Sequence, residues 1–182
     1  FDGPAVAIIK HTNPAGCGQD ATLAGAYGKA LECDPVSAFG GIVALNGTVD
    51  AALATRMCEH FYEVVLAPDV TPEALEVFGK KKNLRVMELG PAFFEPLPPL
   101  VGKHVSGGLL VQENDPRADE VRQGRVVTQR APTPEEWDAL DFAWRVCKHV
   151  KSNAIVYARA DRTAAVGAGQ MSRVDSARLA AI

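Results

Sequence analysis

Short apolar segments that alternate with helical ones constrain the fold of this chain most strongly. Residues 5–9, Ala-Val-Ala-Ile-Ile, form an almost continuous apolar run, which is typical of a strand buried on both faces. The same reasoning predicts further strands at residues 37–45, 64–67 and 84–89, and helices at 20–33, at 51–60 and from Thr71 onwards. This alternation predicts an α/β fold in which a mostly parallel or mixed sheet is flanked by helices.

The middle of the chain has less periodic structure. Residues 91–104 are rich in proline and predict a loop, and residues 107–112 predict a strand that returns to the same sheet. The polar segment 113–132 predicts a linker, whose arginines we expect to be solvated: Arg117, Arg122, Arg125 and Arg130.

A second α/β pattern begins at Thr133. Thr133 can cap a helix, Pro134 suits its first turn and Glu136 completes a capping box. The helix is expected to continue through Val150 and to be followed by a strand pair at 154–158 and 164–167 and by a last helix. We therefore predict one unit over residues 1–132 and the start of a second, incomplete unit over 133–182.

Composition excludes several function classes. The chain has 182 residues and a net charge of -3, without the basic excess expected of a nucleic-acid or membrane-surface binder. No apolar run approaches the roughly 20 residues that span a bilayer. The four cysteines are scattered, without a C-x-x-C pair or zinc-finger spacing, so we expect a cytoplasmic protein without a metal site. The first residue is Phe1 and the last predicted helix is still open at Ile182, so a fragment of a longer protein is expected.

Two features in the first half have the chemistry of a site. Lys10 and His11 end the first buried strand and combine a fixed positive charge with a group suited to base catalysis. They open the segment 10–18, whose proline and glycines predict a polar turn, so they are also compatible with two solvated turn residues. Gly40 and Gly41 open a later strand, where glycine permits close approach of a ligand or simply a tight turn.

Two features in the second half suggest binding of a polar, phosphorylated ligand. Gly167-Ala168-Gly169 followed by Arg173 resembles a phosphate site made of backbone amides, a helix start and a guanidinium. It matches neither the dinucleotide-binding fingerprint nor a P-loop. Asn153 lies between a predicted helix and strand, where it either caps the helix or orients a polar substrate.

Four sequence blocks together resemble one known family. The blocks are IKHTNPAG from residue 9, SAFGGIVA from residue 37, VKSNAIV from residue 150 and GAGQMSR from residue 167. They are similar to the AICAR transformylase domain of the bifunctional purine biosynthesis enzymes that also carry IMP cyclohydrolase. The resemblance covers essentially the whole chain and implies two cytidine-deaminase-like units.

The resemblance implies formyl transfer from 10-formyltetrahydrofolate to the 5-amino group of AICAR, giving FAICAR. By resemblance, His11 relays the amine proton and Lys10 stabilises charge on the formyl group. Asn153 would hold the substrate carboxamide, and Arg173 would bind the ribotide phosphate.

Further positions follow by matching. Gly40 matches a backbone contact to AICAR, Glu63 an acidic contact and Val174 a position near the folate. The family implies a homodimer and a possible K⁺ near residues 147–154, where Val150 and Ala154 have no side-chain oxygen. The isolated chain is expected to be weak or inactive.

Three alternatives to a transformylase remain open at this point. The first is a nucleobase deaminase on the same fold, although the H-x-E and P-C-x-x-C zinc signature of deaminases does not occur in the sequence. The second is a phosphoribosyl-binding module without catalysis. The third is a purely structural or interaction domain.

Overall fold

The computed structural model describes residues 1–96, 98–115 and 121–182. The strands are β1 (Ala5–Lys10), β2 (Asn13–Gln19), β3 (Gly41–Leu45), β4 (Tyr62–Ala67), β5 (Arg85–Glu88), β6 (Leu100–Val105), β7 (Gly108–Glu113), β8 (Ile155–Arg159) and β9 (Arg162–Gly167). The α-helices are α1 (Leu23–Cys33), α2 (Ala51–Met57), α3 (Pro72–Phe78), α4 (Pro134–Cys147) and α5 (Arg173–Leu179).

A seven-stranded mixed sheet with the order β5-β4-β3-β1-β2-β9-β8 forms the centre of the molecule. β3, β4 and β5 run parallel to one another, whereas β1 is antiparallel to both β2 and β3. β9 is antiparallel to both β2 and β8. The predicted α/β fold with a mixed sheet flanked by helices is therefore confirmed.

Alternating side chains of the sheet divide the core into two layers. Val6 and Ile8 of β1 pack in a cluster with residues of α1, α2 and α3. Ala7, between them, packs in a second cluster with Phe142 and Val146 of α4. Because successive side chains of a strand point to opposite faces, α1–α3 cover one face of the sheet and α4 covers the other.

β2 lies where the sequence predicts a polar turn, and that prediction is wrong for residues 13–18. The glycines that suggest a turn instead permit α1 to lie directly on the strand. A Cβ on Gly16 would fall 1.9 Å from the carbonyl oxygen of Ala30, and one on Gly18 2.5 Å from that of Ala26. The glycines in this strand are thus a consequence of close helix–strand packing.

The two-stranded sheet of β6 and β7 is separate from the central sheet. Two predictions are wrong here, since residues 100–105 form a strand rather than a loop and β7 pairs with β6 instead of returning to the main sheet. Every residue of both strands is exposed. Arg117 of the predicted linker lies outside the described residues.

The capping box predicted at Thr133 is confirmed, since its hydroxyl accepts from the amide of Glu136 and the Glu136 carboxylate accepts from the amide of Thr133. α4 ends at Cys147, three residues before the predicted end, and β8 and β9 then extend the central sheet. Among the residues described, no helix has the length and hydropathy needed to cross a membrane.

Candidate functional site

One edge of the central sheet gathers all the predicted site residues, because neighbouring strands end or begin there. β1 and β9 end at this edge, and β2, β3, β4 and β8 begin there. We call it the site edge. Loops at the ends of strands are common positions for ligand sites on α/β folds.

The turn between β1 and β2 places Lys10 and His11 at the site edge. Lys10 pairs with Asn13, so His11 and Thr12 alone form the hairpin loop. Both have positive φ angles, 48° and 66°, which side chains other than glycine rarely adopt. Such a conformation costs about 1–2 kcal/mol per residue and is found at functional sites more often than elsewhere.

The ammonium group of Lys10 is held by the loop that precedes β3. Its Nζ donates a hydrogen bond of 2.6 Å to the carbonyl oxygen of Phe39. Next to it, Gly40 has a φ of 67°, and a Cβ there would lie 2.9 Å from the same Nζ. A lysine ammonium has three donors, so two remain for other acceptors.

Gly40 connects this loop to the start of β4. Its amide donates to the carbonyl oxygen of Phe61 over 2.7 Å. The β3–β4 register shifts between Gly41 and Ile42, which leaves Glu63 as the extra residue of the irregularity. The Glu63 side chain is exposed, and bulges of this kind are frequent beside active sites.

Asn153 lies on the other half of the site edge, before β8. Its Nδ2 donates to the carbonyl oxygens of Gln170 and Met171, at 2.9 and 3.0 Å, and its own carbonyl accepts from the hydroxyl of Ser176. α4 ends six residues earlier, at Cys147, and its C-cap is Lys148, so Asn153 is not its cap. Both amide donors are used internally, and the side-chain oxygen Oδ1 is the group available to a substrate.

The glycine turn after β9 differs from the predicted phosphate site. Gly167 packs against α5, where a Cβ would lie 1.9 Å from the carbonyl oxygen of Ser176. The amide of Gly169 donates to the carbonyl of Lys151. The Ser172 hydroxyl accepts hydrogen bonds from the amides of Val174 and Asp175, in the first turn of α5. The amides of Gly169, Val174 and Asp175 are therefore already hydrogen-bonded.

Arg173 and Val174 are the remaining features of that predicted phosphate and folate region. Arg173 is the first residue of α5, and its side chain is exposed. Val174 beside it is an exposed apolar side chain. Within the described residues neither Lys10 nor Arg173 forms a salt bridge, so two cations of the site edge have no carboxylate partner there.

Nucleophilic thiols and acidic metal clusters are not features of this site. All four cysteines are free, and burial raises the pKa of each, that of Cys17 to about 12. They are therefore thiols at neutral pH. Across residues 1–96, 98–115 and 121–182, no group of three or more His, Cys, Asp or Glu side chains is arranged to hold a metal ion.

A cavity of about 540 Å³ lies beside the Gly40 end of the site edge. Phe39 and Phe61 form part of its wall, with ring centroids 5.1 Å apart, and Lys80, Lys81 and Lys82 also line it. The sequence did not suggest these aromatic residues, because their contribution to the site is through backbone carbonyls that any residue type could supply.

Asn13 is a further residue that sequence reasoning missed. Its Oδ1 accepts a hydrogen bond of 2.9 Å from the amide of Lys151, which joins the Lys10–His11 turn to the segment before Asn153. Its position beside a proline in the first sequence block suggested only a turn residue. No pattern in the sequence could have revealed a partner 138 residues away.

Comparison with known proteins identifies relatives over the whole chain. A sequence model described as AICARFT/IMPCHase bienzyme matches residues 1–182. The chain is 56% identical over 181 residues to the bifunctional purine biosynthesis protein PurH of Sorangium cellulosum, covering 99% of this chain and 35% of that protein. For the protein of the same name from Rhizobium rhizogenes the identity is 54% over 181 residues, covering 100% of this chain and 34% of the relative.

The chain thus spans about a third of the length of these relatives, 35% and 34% respectively. The match nevertheless includes every element of the site edge, because it extends from the first residue to the last. The chain belongs to the AICARFT/IMPCHase bienzyme family.

Proposed function

We propose that this chain carries part of an AICAR transformylase site, which acts in purine biosynthesis and transfers a formyl group from 10-formyltetrahydrofolate to the 5-amino group of AICAR. The observation that carries the proposal is the gathering of His11, Lys10, Gly40, Glu63 and Asn153 at one edge of the sheet. The relatives are named bifunctional purine biosynthesis proteins, which supports a role in purine biosynthesis.

The proposed chemistry assigns each group one task. The 5-amino nitrogen of AICAR attacks the formyl carbon, a C–N bond forms, and the bond from that carbon to the folate nitrogen breaks. His11 takes the proton that the amine loses, and the departing folate nitrogen gains one. A free donor of Lys10 stabilises the negative charge that develops on the formyl oxygen.

The remaining residues position the substrates. Asn153 Oδ1 accepts from the carboxamide of AICAR, the Gly40 carbonyl and the Glu63 carboxylate accept from its polar groups, and Arg173 binds the ribotide phosphate. Since the amides of Gly169, Val174 and Asp175 are already bonded, we assign the phosphate contact to the Arg173 guanidinium. Val174 contacts the folate.

A comparison of two histidines tests the proposed base. In the full-length natural protein, His11→Ala should lower kcat for formyl transfer by roughly 10²–10⁴-fold, the usual contribution of a general base. His104→Ala removes an exposed histidine of β6, a strand outside the central sheet, and should leave kcat unchanged. Wild-type kcat in His11→Ala would refute the assigned role.

Calorimetry with two ligands tests the phosphate assignment. Arg173→Ala should weaken binding of AICAR by roughly 10–100-fold but leave binding of its phosphate-free riboside unchanged, because a charge-assisted bond contributes about 1.5–3 kcal/mol. Arg178→Ala, on the same helix, is the matched control. Equal loss for both ligands would reject a phosphate contact, and loss of folate binding alone would move Arg173 to the co-substrate.

Other implications of the resemblance remain proposals. They are a homodimer, a cytoplasmic location, the division into units at residues 132 and 133, and K⁺ near residues 147–154. In that last segment, the carbonyls of Lys151 and Asn153 already accept hydrogen bonds from Gly169 and Ser176. No step proposed above requires the ion.

A further inference from the structure

The pairing between β2 and β9 is the narrowest connection in the central sheet. A single residue pair, Gly18 with Arg162, defines its register. Most of the bonds that reinforce it lie at Cys17 or further towards the opposite edge, including those of Cys17 with the Thr163 hydroxyl and of Gln19 with the Asp161 carbonyl. We call this connection the β2–β9 seam.

At the site edge, the carboxamide of Asn13 bridges this seam. Oδ1 accepts from the amide of Lys151 over 2.9 Å, and Nδ2 donates to the carbonyl oxygen of His11 over 3.5 Å. One side chain therefore contacts both the strained turn that carries the proposed base and the loop that leads to Asn153.

The proposed substrate makes the relation between these two loops important. The amine and the carboxamide of AICAR are attached to neighbouring atoms of one ring. A base that takes the amine proton and an amide that binds the carboxamide must therefore keep a fixed separation. Proton transfer needs heavy atoms about 2.6–3.2 Å apart, and a displacement of about 1 Å can cost a hundredfold in rate.

We propose that Asn13 is a positioning residue that fixes the Lys10–His11 turn relative to the Asn153 loop across the β2–β9 seam. It does not touch the reacting atoms. The role in catalysis rests on the proposed transformylase function, whereas the mechanical link between the two loops does not.

The test compares variants of the full-length natural protein by hydrogen exchange and by steady-state kinetics. Asn13→Ala should speed exchange at the Lys151 amide roughly tenfold, the effect of losing one hydrogen bond. It should lower kcat by about tenfold or more with KM for AICAR changed less than about threefold. Asn13→Asp keeps an oxygen acceptor and should retain slow exchange at Lys151 and a kcat closer to wild type.

Asn46→Ala is the matched control, since Asn46 makes the same kind of side-chain link to Ala5 and Gly3 at the opposite edge of the sheet. It should lower the melting temperature without changing kcat. If Asn13→Ala does not fold, Asn13→Asp still decides, because fast exchange at Lys151 in that variant would refute the link.

The outcomes separate this inference from the function it rests on. Unchanged exchange at Lys151 in Asn13→Ala would overturn the link, and faster exchange with unchanged kcat and KM would overturn the catalytic role. A wild-type protein without formyl transfer would instead refute the proposed function, and the exchange result would still stand.

Discussion

Charged side chains at the two edges of the central sheet differ in what they contact. At the edge opposite the site, Lys29 forms salt bridges with both Asp20 and Asp161, and its Nζ also donates to a backbone carbonyl. At the site edge, Lys10 donates to a backbone carbonyl but has no carboxylate partner among the described residues, and Arg173 has none either. Both edges carry cations, but Lys29 has carboxylate partners, whereas Lys10 and Arg173 have none within residues 1–96, 98–115 and 121–182.

The difference separates charges that stabilise the fold from charges left for a ligand. A paired cation contributes to stability through its partner, and removing it leaves the carboxylates without compensation. A cation without a carboxylate partner beside a strained turn contributes little to the fold, so its position suggests an anionic or electron-rich ligand.

The sharpest test of this comparison replaces one lysine at each edge with methionine. In the full-length natural protein, Lys10→Met should lower kcat for formyl transfer by about 10²–10³-fold, the effect of losing one group that stabilises a developing oxyanion. Its melting temperature should remain close to wild type.

Lys29→Met should show the reverse pattern. Activity should stay within about twofold, while the melting temperature falls by a few degrees, as expected for a small loss of stability in a domain of this size. The comparison fails if both variants lose activity equally or if Lys10→Met is the less stable protein.

Glycine substitutions at the two edges should have effects of intermediate size. Gly40→Ala places a Cβ 2.9 Å from the Lys10 ammonium at a positive φ, so kcat should fall about tenfold or more and stability by about 1–2 kcal/mol. Gly47→Ala meets only the flexible side chain of Leu23, at 3.1 Å, and should change neither kcat nor KM. Chemical denaturation and kinetics on the same preparations measure both effects.

His11→Gly should have a smaller effect on stability, in the favourable direction. Glycine adopts a φ of 48° without steric cost, so the free energy of unfolding should rise by about 0.5–1 kcal/mol although formyl transfer is lost. Urea unfolding of both proteins measures the difference. A less stable variant would show that the histidine side chain supports the turn.

The smallest effect is expected at the start of α4, whose charges are paired. Hydrogen bonds from Arg130, with those from the Thr133 amide, lower the pKa of Glu136 from 4.5 to about 2. Because the folded-state pKa is the lower one, this carboxylate stabilises the fold above pH 4.5 and loses that effect as the pH falls towards 2.

Thermal unfolding between pH 7 and pH 2 tests this assignment. Glu136→Gln should lack this part of the acid sensitivity and should melt slightly below the wild type at neutral pH. Identical pH profiles would show that the ion pair with Arg130 is too solvated to matter.

The sequence predicts correctly those elements whose local residue pattern matches the way in which they pack in the fold. β1, α3 and the capped start of α4 follow from apolar runs and capping residues. β2 was missed because its glycines serve packing against α1, a contact that the local sequence does not reveal. β7 was assigned to the wrong sheet because no local signal specifies the partner of a strand.

The candidate site shows the same division. The residue types at Lys10, His11 and Arg173 suggest their chemistry from the sequence alone. Their gathering at one edge depends on the order of the strands in the sheet. The hydrogen bond from the Gly169 amide to the Lys151 carbonyl depends on a loop nearly twenty residues away in the sequence. The types of functional group at the site are thus predictable from the sequence. Which of these groups are free to bind a ligand, and how far apart they lie, are not.

The contact between Cys17 and Thr163 also has a consequence for how the protein folds. It joins residues 146 positions apart, so the β2–β9 seam can form only after Thr163 has been made. Contacts of such long range slow folding, because the entropy of closing the loop is lost before the contact forms. During synthesis, β1 and the strained turn emerge before β8 and β9, so the two halves of the site edge can meet only after residues of both pairs of elements have been made.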